Sequence, residues 1–182
     1  MYKPQGYDQA IPRTRISNFP IPGAYILGIV NAEEKISKGG NQMLVLSLDI
    51  AEGNFKNFYS KFSKECGKNR ILKHYRLLDN ENAAEYLKGD IQAIENSNTN
   101  FKFEFDENKL IGKFVGAMLA EEEYLKQDQT IGTVLKIKYL CSVYDARSGK
   151  LTIPEKKKIN TSFESADFNN RQQNSGKMPW DD

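Results

Sequence analysis

Residues that carry most catalytic and metal-binding chemistry are scarce in this sequence. Its 182 residues include two cysteines, Cys66 and Cys141, and a single histidine, His74. The cysteines show neither a CxxC spacing nor a Cys/His ligand spacing, which indicates reduced structural thiols in a cytosolic protein. A Walker glycine–lysine loop and an activated-nucleophile arrangement are also missing. We therefore expect a protein that is not an enzyme and that uses no metal and no cofactor.

Two acidic clusters are the only features that could suggest metal-dependent chemistry. Asp106-Glu107 and Glu121-Glu122-Glu123 could hold a metal ion in a nuclease. Acidic runs of this kind are more often solvated residues of a hairpin, and no histidine lies near them in the sequence. We therefore interpret both clusters as surface charge.

Long hydrophobic runs are missing as well. No apolar run approaches the roughly 20 residues of a membrane helix, and the N-terminus has no secretory hydrophobic region, so we expect no membrane association. The formal net charge of +2 does not by itself indicate a nucleic-acid partner, so that argument must rest on where the charges lie. An apolar content of 39% allows one sizeable core.

Proline is concentrated at the start of the chain. Four of the six prolines fall within residues 1–22: Pro4, Pro12, Pro20 and Pro22. Such a segment cannot hold a regular helix, which predicts an extended N-terminal arm. Tyr2, Tyr7 and Phe19 are candidate anchors for this arm on the following domain.

Three β-strands in a row are predicted after the arm. They are Tyr25–Val30, Met43–Ile50 and Phe55–Phe62, with turn signals at Gly39-Gly40-Asn41 and Glu52-Gly53-Asn54. Short connections of this kind make neighbouring strands antiparallel. Three such strands favour a small barrel or sandwich over a βαβ fold.

The second half of the domain adds a helix and two strands. Helical periodicity runs from Asn82 to Ile94, and strands are predicted over Leu110–Leu119 and Thr130–Tyr144, joined by a polar loop at Glu121–Gln129. Three strands, a helical insertion and a hairpin are the order of an OB-fold. The predicted fold class is therefore mainly β, a five-stranded Greek-key barrel with a helix between strands 3 and 4.

The predicted third strand carries alternating rings and lysines. Alternation places Phe55, Tyr59 and Lys61 on one face and Phe58 and Phe62, with Lys56, on the other. If the second face is core, the first becomes an exposed aromatic–cation surface of the kind that binds single-stranded nucleic acid. The alternative is that these rings pack under the helix that follows.

Positive charge is gathered beside these rings, between Lys56 and Arg76, where Glu65 is the only acid. Clustered lysine and arginine next to aromatic residues are typical of a phosphate-binding surface. We therefore predict single-stranded DNA as the partner, with RNA not distinguished. The predicted contact residues are Phe55, Lys56, Tyr59, Lys61, Lys64, Lys68, Arg70, Lys73, Arg76, Lys136 and Lys138.

Spaced glycine, lysine and asparagine positions resemble a known family. The positions are Gly23-x-Tyr25, then Glu33-x-x-x-Ser37-Lys38-Gly39-x-Asn41-x-Met43 and Gly53, and later Leu110-x-Gly112-Lys113 and Glu122-x-Tyr124. Together they are similar to phage-encoded single-stranded DNA-binding proteins of Gram-positive hosts, including a group long catalogued as a domain of unknown function. The resemblance covers Gly23–Lys158.

This resemblance implies an OB-fold that coats single-stranded DNA during phage replication or recombination, in the cytoplasm of the bacterial host. Because OB-folds serve many functions, an adaptor that binds only protein is kept as the alternative. A homo-oligomer is compatible with the sequence.

The composition changes after residue 158. We expect an arm at 1–22, an OB-fold domain at 23–158 and a disordered tail at 159–182, which is rich in Asn, Gln and Ser. The tail ends in Met178, Pro179, Trp180, Asp181 and Asp182. This end is similar to the acidic tip of bacterial single-stranded DNA-binding proteins, although here the acids follow the ring. The resemblance implies docking on phage or host replication and recombination proteins, with Trp180 exposed in the free protein.

Overall fold

One antiparallel sheet contains all five strands of the described residues. The structure, a computed structural model, describes residue 3 and the ranges 18–79 and 81–159. The strands are β1 (Gly23–Ile36), β2 (Gln42–Ile50), β3 (Leu72–Leu77), β4 (Phe114–Leu125) and β5 (Ile131–Cys141). Their order in the sheet is β3-β2-β1-β4-β5. The helices are α1 (Phe58–Cys66), α2 (Glu81–Ser97) and α3 (Val143–Arg147), and a 3-10 turn spans Glu107–Leu110.

The long strand β1 organises the sheet. Its first residues, Gly23–Gly28, pair with β4, while the stretch from Leu27 to Ile36 pairs with β2. The register with β2 shifts between Ile29 and Asn31, where a bulge bends the strand. Because β1 holds the centre, β3 and β5 become the two edge strands of the sheet.

The core is built on β2, whose residues from Leu44 to Ile50 are all buried. Both faces of this strand are buried, since Val45, Ser47 and Asp49 are enclosed as well as the leucines. Leucines of β1 and β4 and Ile94 of α2 complete the apolar cluster. Fully burying one such side chain stabilises the fold by about 1.5–3 kcal/mol.

The prediction of a third strand at Phe55–Phe62 was wrong. Residues 54–57 form a turn and α1 begins at Phe58. Phe55, Phe58, Tyr59 and Phe62 have the spacing i, i+3, i+4, i+7, which fits a helical stripe better than an alternating strand. The third strand of the sheet is instead Leu72–Leu77, inside the stretch that was interpreted as a basic cluster.

Other boundaries moved less. The predicted helix at Asn82–Ile94 is confirmed within α2, and the second strand is confirmed as β2. β1 continues to Ile36 through residues predicted as a connection, and β4 continues through the predicted loop to Leu125. The last strand is confirmed as β5, although α3 begins within its predicted end.

Within the described ranges the sheet is not closed into the predicted Greek-key barrel. β3 pairs only with β2 and β5 only with β4 among these residues, so the sheet stays open between its two edge strands. What is confirmed is a five-stranded antiparallel sheet with helices. No helix within 18–79 or 81–159 is long and apolar enough to span a membrane.

The chain termini are described only in part. Phe19 of the arm packs edge-on against Phe58 and Phe62, which confirms it as an anchor, whereas Tyr2 and Tyr7 lie outside the described residues. At the other end Ile159 still contacts the sheet through a hydrogen bond from its N–H to Glu123 Oε2 (3.3 Å). Of the predicted tail, residues 160–182 lie outside the described ranges.

Candidate nucleic-acid interface

An open groove of about 870 Å³ lies between the edge strands β3 and β5. Residues 69–76 form one wall, and residues 133–138 of β5 form the other. Phe19, Phe58 and Phe62 line it as well. Because each edge strand pairs on one side only, the groove combines unpaired backbone edges with the side chains that project beside them.

The position of α1 beside the groove is set by a buried carboxylate on β2. Asp49 accepts hydrogen bonds from the N–H groups of Tyr59 (3.0 Å) and Ser60 (2.8 Å), in the first turn of α1. The residue before the helix, Asn57, has a left-handed backbone (φ 58°) and gives no side-chain cap. Asp49 therefore acts as the N-cap of α1 from a neighbouring strand.

The aromatic face of α1 forms one end of the groove. The Phe58 and Phe62 rings stack with centroids 5.7 Å apart, and Phe19 meets both edge-on. Phe58 also makes edge contacts with Phe55 and Tyr59. Phe19 keeps 56% of its surface exposed and lines the groove, so its ring is the solvent-exposed ring of this cluster.

Two residues that the sequence places on an exposed aromatic surface are half-buried. Phe55 and Tyr59 pack against the core cluster, as the alternative interpretation of these rings expected. Burial raises the pKa of the Tyr59 hydroxyl far above its usual range, and the nearby Tyr25 and Asp49 act in the same direction. Tyr59 still lines the groove, whereas Phe55 does not.

Five of the predicted cationic contacts meet in the groove. Arg70, Lys73 and Arg76 line the β3 wall, and Lys136 and Lys138 line the β5 wall. The two sets of cations are about sixty residues apart in the sequence, and the fold brings them to the same groove. Glu121 is the one acid in this lining.

These five cations differ in how free they are. Arg70 and Lys138 are exposed and have no ion-pair partner within the described ranges. Lys73 donates from Nζ to Ser47 Oγ at 2.6 Å, and Lys136 Nζ lies 3.3 Å from Glu122 Oε2. Arg70 and Lys138 are therefore free to turn toward an anion, Lys136 can leave its exposed ion pair to do so, and Lys73 is held by Ser47.

Arg76 is held by a buried charge network instead. Asp90 of α2 accepts hydrogen bonds from Arg76 Nε and Nη2 and lies 2.7 Å from His74 Nε2. Burial alone would raise the pKa of Asp90, but the hydrogen bonds from His74 and Arg76 outweigh it and hold that pKa below its usual range. The Arg76 guanidinium also lies 5.4 Å from the Tyr86 ring centroid. This network ties β3 to α2.

The remaining predicted cations lie outside the groove. They are exposed side chains of α1 and the turns that flank it: Lys56, Lys61, Lys64 and Lys68. None has an ion-pair partner within residues 18–79 or 81–159. They add positive charge on and beside α1, whose rings line the groove, without lining it themselves.

Sequence reasoning missed Tyr75, which lines the groove with 55% of its surface exposed. Its ring stands on β3 between Lys73 and Arg76, so it offers a flat apolar face among cations. Alternation within Leu72–Leu77 was the signal that could have found it, because Leu72 and His74 are buried while Tyr75 is exposed.

Two acids of the run in β4, Glu122 and Glu123, are paired with lysines within the protein. The backbone of Lys157 forms a parallel β-bridge with that of Glu122. The Lys157 carbonyl accepts a hydrogen bond from the Glu123 N–H (2.9 Å), and the Lys157 N–H donates one to the Glu121 carbonyl (3.0 Å). Lys156 pairs with Glu123 (3.0 Å), and Glu122 is shared between Lys157 (3.5 Å) and Lys136. We call residues 155–159 the strap.

A metal site is not formed by these acids in the described part of the chain. No group of three or more His, Cys, Asp or Glu side chains there is arranged to hold an ion. Hydrogen bonding to Lys156 lowers the pKa of Glu123. The predicted partner-binding tip, Met178–Asp182, lies outside the described ranges.

Comparison with known proteins adds no relative. The chain matches no protein-family model, and no curated protein matches its sequence. The chemistry of the groove must therefore carry the functional argument.

Proposed function

We propose that this chain is a single-stranded DNA-binding protein without strong sequence preference. The observation that carries the proposal is the groove between β3 and β5, which is lined by five cationic residues and by the exposed ring of Tyr75. Phosphates suit the cations, and any base offers a π-face to a tyrosine or phenylalanine ring. Carboxylate and amide groups that could read one base are few in the lining: Glu121 is its only acid, and Asn69 is its only amide side chain, whose Oδ1 accepts a hydrogen bond from the Ile71 N–H (3.1 Å).

The open five-stranded sheet is compatible with an OB-fold, which is a partly open Greek-key barrel. In this proposal the bound strand lies in the gap between β3 and β5. Lys56, Lys61, Lys64 and Lys68 would then extend the positive potential around α1 and accelerate association rather than fix bases. Together with the resemblance of Gly23–Lys158, this supports coating of single-stranded DNA during phage replication or recombination, with partners recruited by the C-terminal tip.

A titration of labelled oligo-dT against duplex DNA of equal length tests the proposal. We expect tight binding of the single strand, weaker binding of the duplex, and a steep loss of affinity as salt rises because counterions are released from the phosphates. The double variant Arg70→Ala/Lys138→Ala should weaken oligo-dT binding and flatten the salt dependence. Lys88→Ala/Lys150→Ala, which removes two exposed charges outside the groove, is the matched control. Equal affinity for duplex, or a flat salt response, would contradict the proposal.

A second candidate function is an adaptor that binds an extended peptide. The unpaired edges of β3 and β5 favour it, because such edges can accept an added strand through main-chain hydrogen bonds. An adaptor of this kind would bind its partner with little salt dependence and would not bind oligo-dT. The same titration therefore separates the two functions.

A further inference from the structure

A second, apolar groove of about 430 Å³ lies away from the basic groove, between α2 and the segment 101–105. Ala84, Leu87 and Ile91 line it on α2, and Phe103 and Phe105 line it on the other side. Its size and apolar lining are those of a site for one large side chain or a small ligand. Nothing in the proposed DNA-binding function uses this groove.

The wall opposite α2 is held in place by a charged staple. Glu95 of α2 accepts a hydrogen bond from the Phe103 N–H through Oε1 (2.9 Å) and one from Lys102 Nζ through Oε2 (2.9 Å). The backbone hydrogen bond from Phe103, followed by the bond from Lys102, lowers the pKa of Glu95. The groove is therefore formed before any occupant arrives, which reduces the entropy cost of binding.

Phe105 is the most exposed apolar residue of this wall. Its ring lies 5.5 Å from that of Phe103, yet 86% of the residue is exposed. Its backbone is left-handed (φ 57°), a conformation that a bulky side chain rarely adopts. A large apolar ring held out in a strained conformation beside an apolar groove indicates a binding surface.

We propose that this groove binds the C-terminal tip of the same chain, Met178–Asp182. Trp180 is the only tryptophan in the sequence and stands between Pro179 and two acids. The indole ring of Trp180 supplies a large apolar surface that can fill the groove. Lys88, which lines the groove and is exposed, provides a positive group for Asp181 and Asp182.

The chain is long enough for this contact. The 18 residues from 160 to 177 link the strap to the tip, and fully extended they span about 60 Å. A folded domain of this size has a radius of gyration of about 14 Å, so the tip reaches any point on its surface. A link of this length also gives the tip an effective concentration in the millimolar range, which favours its own groove over that of a second copy.

Docking of the tip changes what is expected of the free protein. Sequence alone predicts an exposed Trp180 that becomes buried on a partner, whereas here Trp180 is sheltered until a partner displaces it. The inference does not depend on DNA binding, because the two grooves share no lining residue.

Fluorescence of the full-length protein tests the proposal, since excitation selective for tryptophan reports on Trp180 alone. Without DNA, we expect the Trp180 emission maximum to lie at a shorter wavelength than that of a free Met178–Asp182 peptide. Acrylamide should quench this emission severalfold less than it quenches the peptide. Phe105→Asn removes the ring and relieves the left-handed strain, so it should move emission and quenching to the values of the peptide without lowering the melting temperature. Lys88→Glu should weaken docking in the same assay, because it removes the positive group near Asp181 and Asp182. Raised salt screens these charges and should therefore reduce the difference in emission between Lys88→Glu and wild type.

Tyr144→Asn is the matched control, because Tyr144 is 79% exposed and lines neither groove. It should leave Trp180 emission unchanged. Wild-type emission and quenching equal to those of the peptide would overturn the proposal, as would a blue shift that survives Phe105→Asn. A shift that disappears on dilution would assign the groove to a tip from a second copy. A shift that oligo-dT abolishes in wild type and in Phe105→Asn alike would place the tip in the basic groove.

Discussion

Single residues in the basic groove divide into those that are free to bind and those that hold the fold. Tyr75 and Arg70 are exposed, whereas Tyr59 and Arg76 are engaged by the core and by Asp90. Substitutions at the two kinds of position should therefore separate binding from stability. The exposed residues report on DNA, and the engaged ones report on folding.

Tyr75→Ala should weaken oligo-dT binding by about 1–3 kcal/mol, the cost of losing one base–ring stack. The melting temperature should stay within error of wild type, because the ring is largely exposed in the free protein. Fluorescence anisotropy and a thermal melt measure the two quantities. Tyr144→Ala removes a ring that is more exposed than Tyr75 and does not line the groove, so it should alter neither. Unchanged binding by Tyr75→Ala would exclude this ring from the interface.

Tyr59→Ala should act in the opposite way. Its ring packs against the core and against Phe58, so truncation should lower the free energy of unfolding, by up to the 3–5 kcal/mol seen for fully buried aromatic rings. Tyr59→Phe keeps the ring and should be nearly neutral at pH 7. Urea unfolding of the three proteins checks this. A stable Tyr59→Ala variant with weakened oligo-dT binding would restore Tyr59 to the stacking role that the sequence predicted.

Asp90 gives the fold a sensitivity to acid. Its folded pKa lies below the ordinary value of 3.8, so its stabilising effect is present above that value and is lost as pH falls through the folded pKa. Asp90→Asn should destabilise the protein at pH 7 by about 3–5 kcal/mol, since Arg76 loses its buried partner. It should also reduce the decline in stability between pH 5 and pH 3. Chemical unfolding at several pH values measures both effects, with the exposed Glu85→Gln on the same helix as the control. A parallel pH profile for wild type and Asp90→Asn would contradict the role of this network.

At the level of elements, α1 depends on a cap that it does not itself contain. Asp49 is buried on β2 and satisfies two N–H groups of the first helical turn. Asp49→Ala leaves these donors without a partner and should cost about 1–3 kcal/mol. Amide exchange should rise first in α1, with β2 protected longer. Glu52→Gln, in the following turn, removes only an exposed ion pair to Arg147 and should change stability little. Uniform loss of protection across the sheet would argue against a local cap.

Elements with one dominant period could be predicted from the sequence, and α1 and β3 could not. α2, β2 and β5 have clear periodicity and flanking turn signals, so they were predicted within a few residues. The rings of 55–62 alternate closely enough to suggest a strand, although their spacing fits a helical stripe better. The cap of that helix comes from Asp49, ten residues before Tyr59 and on another element. β3 is short, and three of its six residues are basic: Lys73, His74 and Arg76. This positive charge concealed the alternation of buried and exposed residues that is typical of a strand.

The candidate site was predicted as a set of residues rather than as a shape. Lys136 and Lys138 were assigned to the same surface as Arg70 and Lys73, and the fold does bring these four together. The groove itself is a consequence of sheet order, which leaves β3 and β5 as facing edges. No local pattern in the sequence encodes that order.

At the scale of the whole molecule, the strap closes one side of the sheet. β4 pairs with β1 only as far as Leu119, and the strap continues the pairing along Glu121–Glu123. Deleting residues 155–182 should therefore lower the melting temperature relative to deleting 160–182, because it exposes the β4 backbone and leaves Glu122 and Glu123 with fewer cations. Differential scanning fluorimetry of the two truncated chains makes the comparison. Equal melting temperatures would show that the strap does not stabilise the sheet.

The facing edges of β3 and β5 also bear on how the protein behaves at high concentration. Unpaired strands that lie open to solvent can join the same strands of another molecule and start aggregation, and lysine or arginine on such strands opposes that joining by repulsion. The charges that we assign to DNA therefore have a second consequence, which is colloidal. Replacing Arg70, Lys136 and Lys138 together by neutral residues should produce a chain that folds normally yet scatters light and precipitates as its concentration rises. A bound polyanion would oppose the same self-association, because it fills the gap and carries net charge of its own.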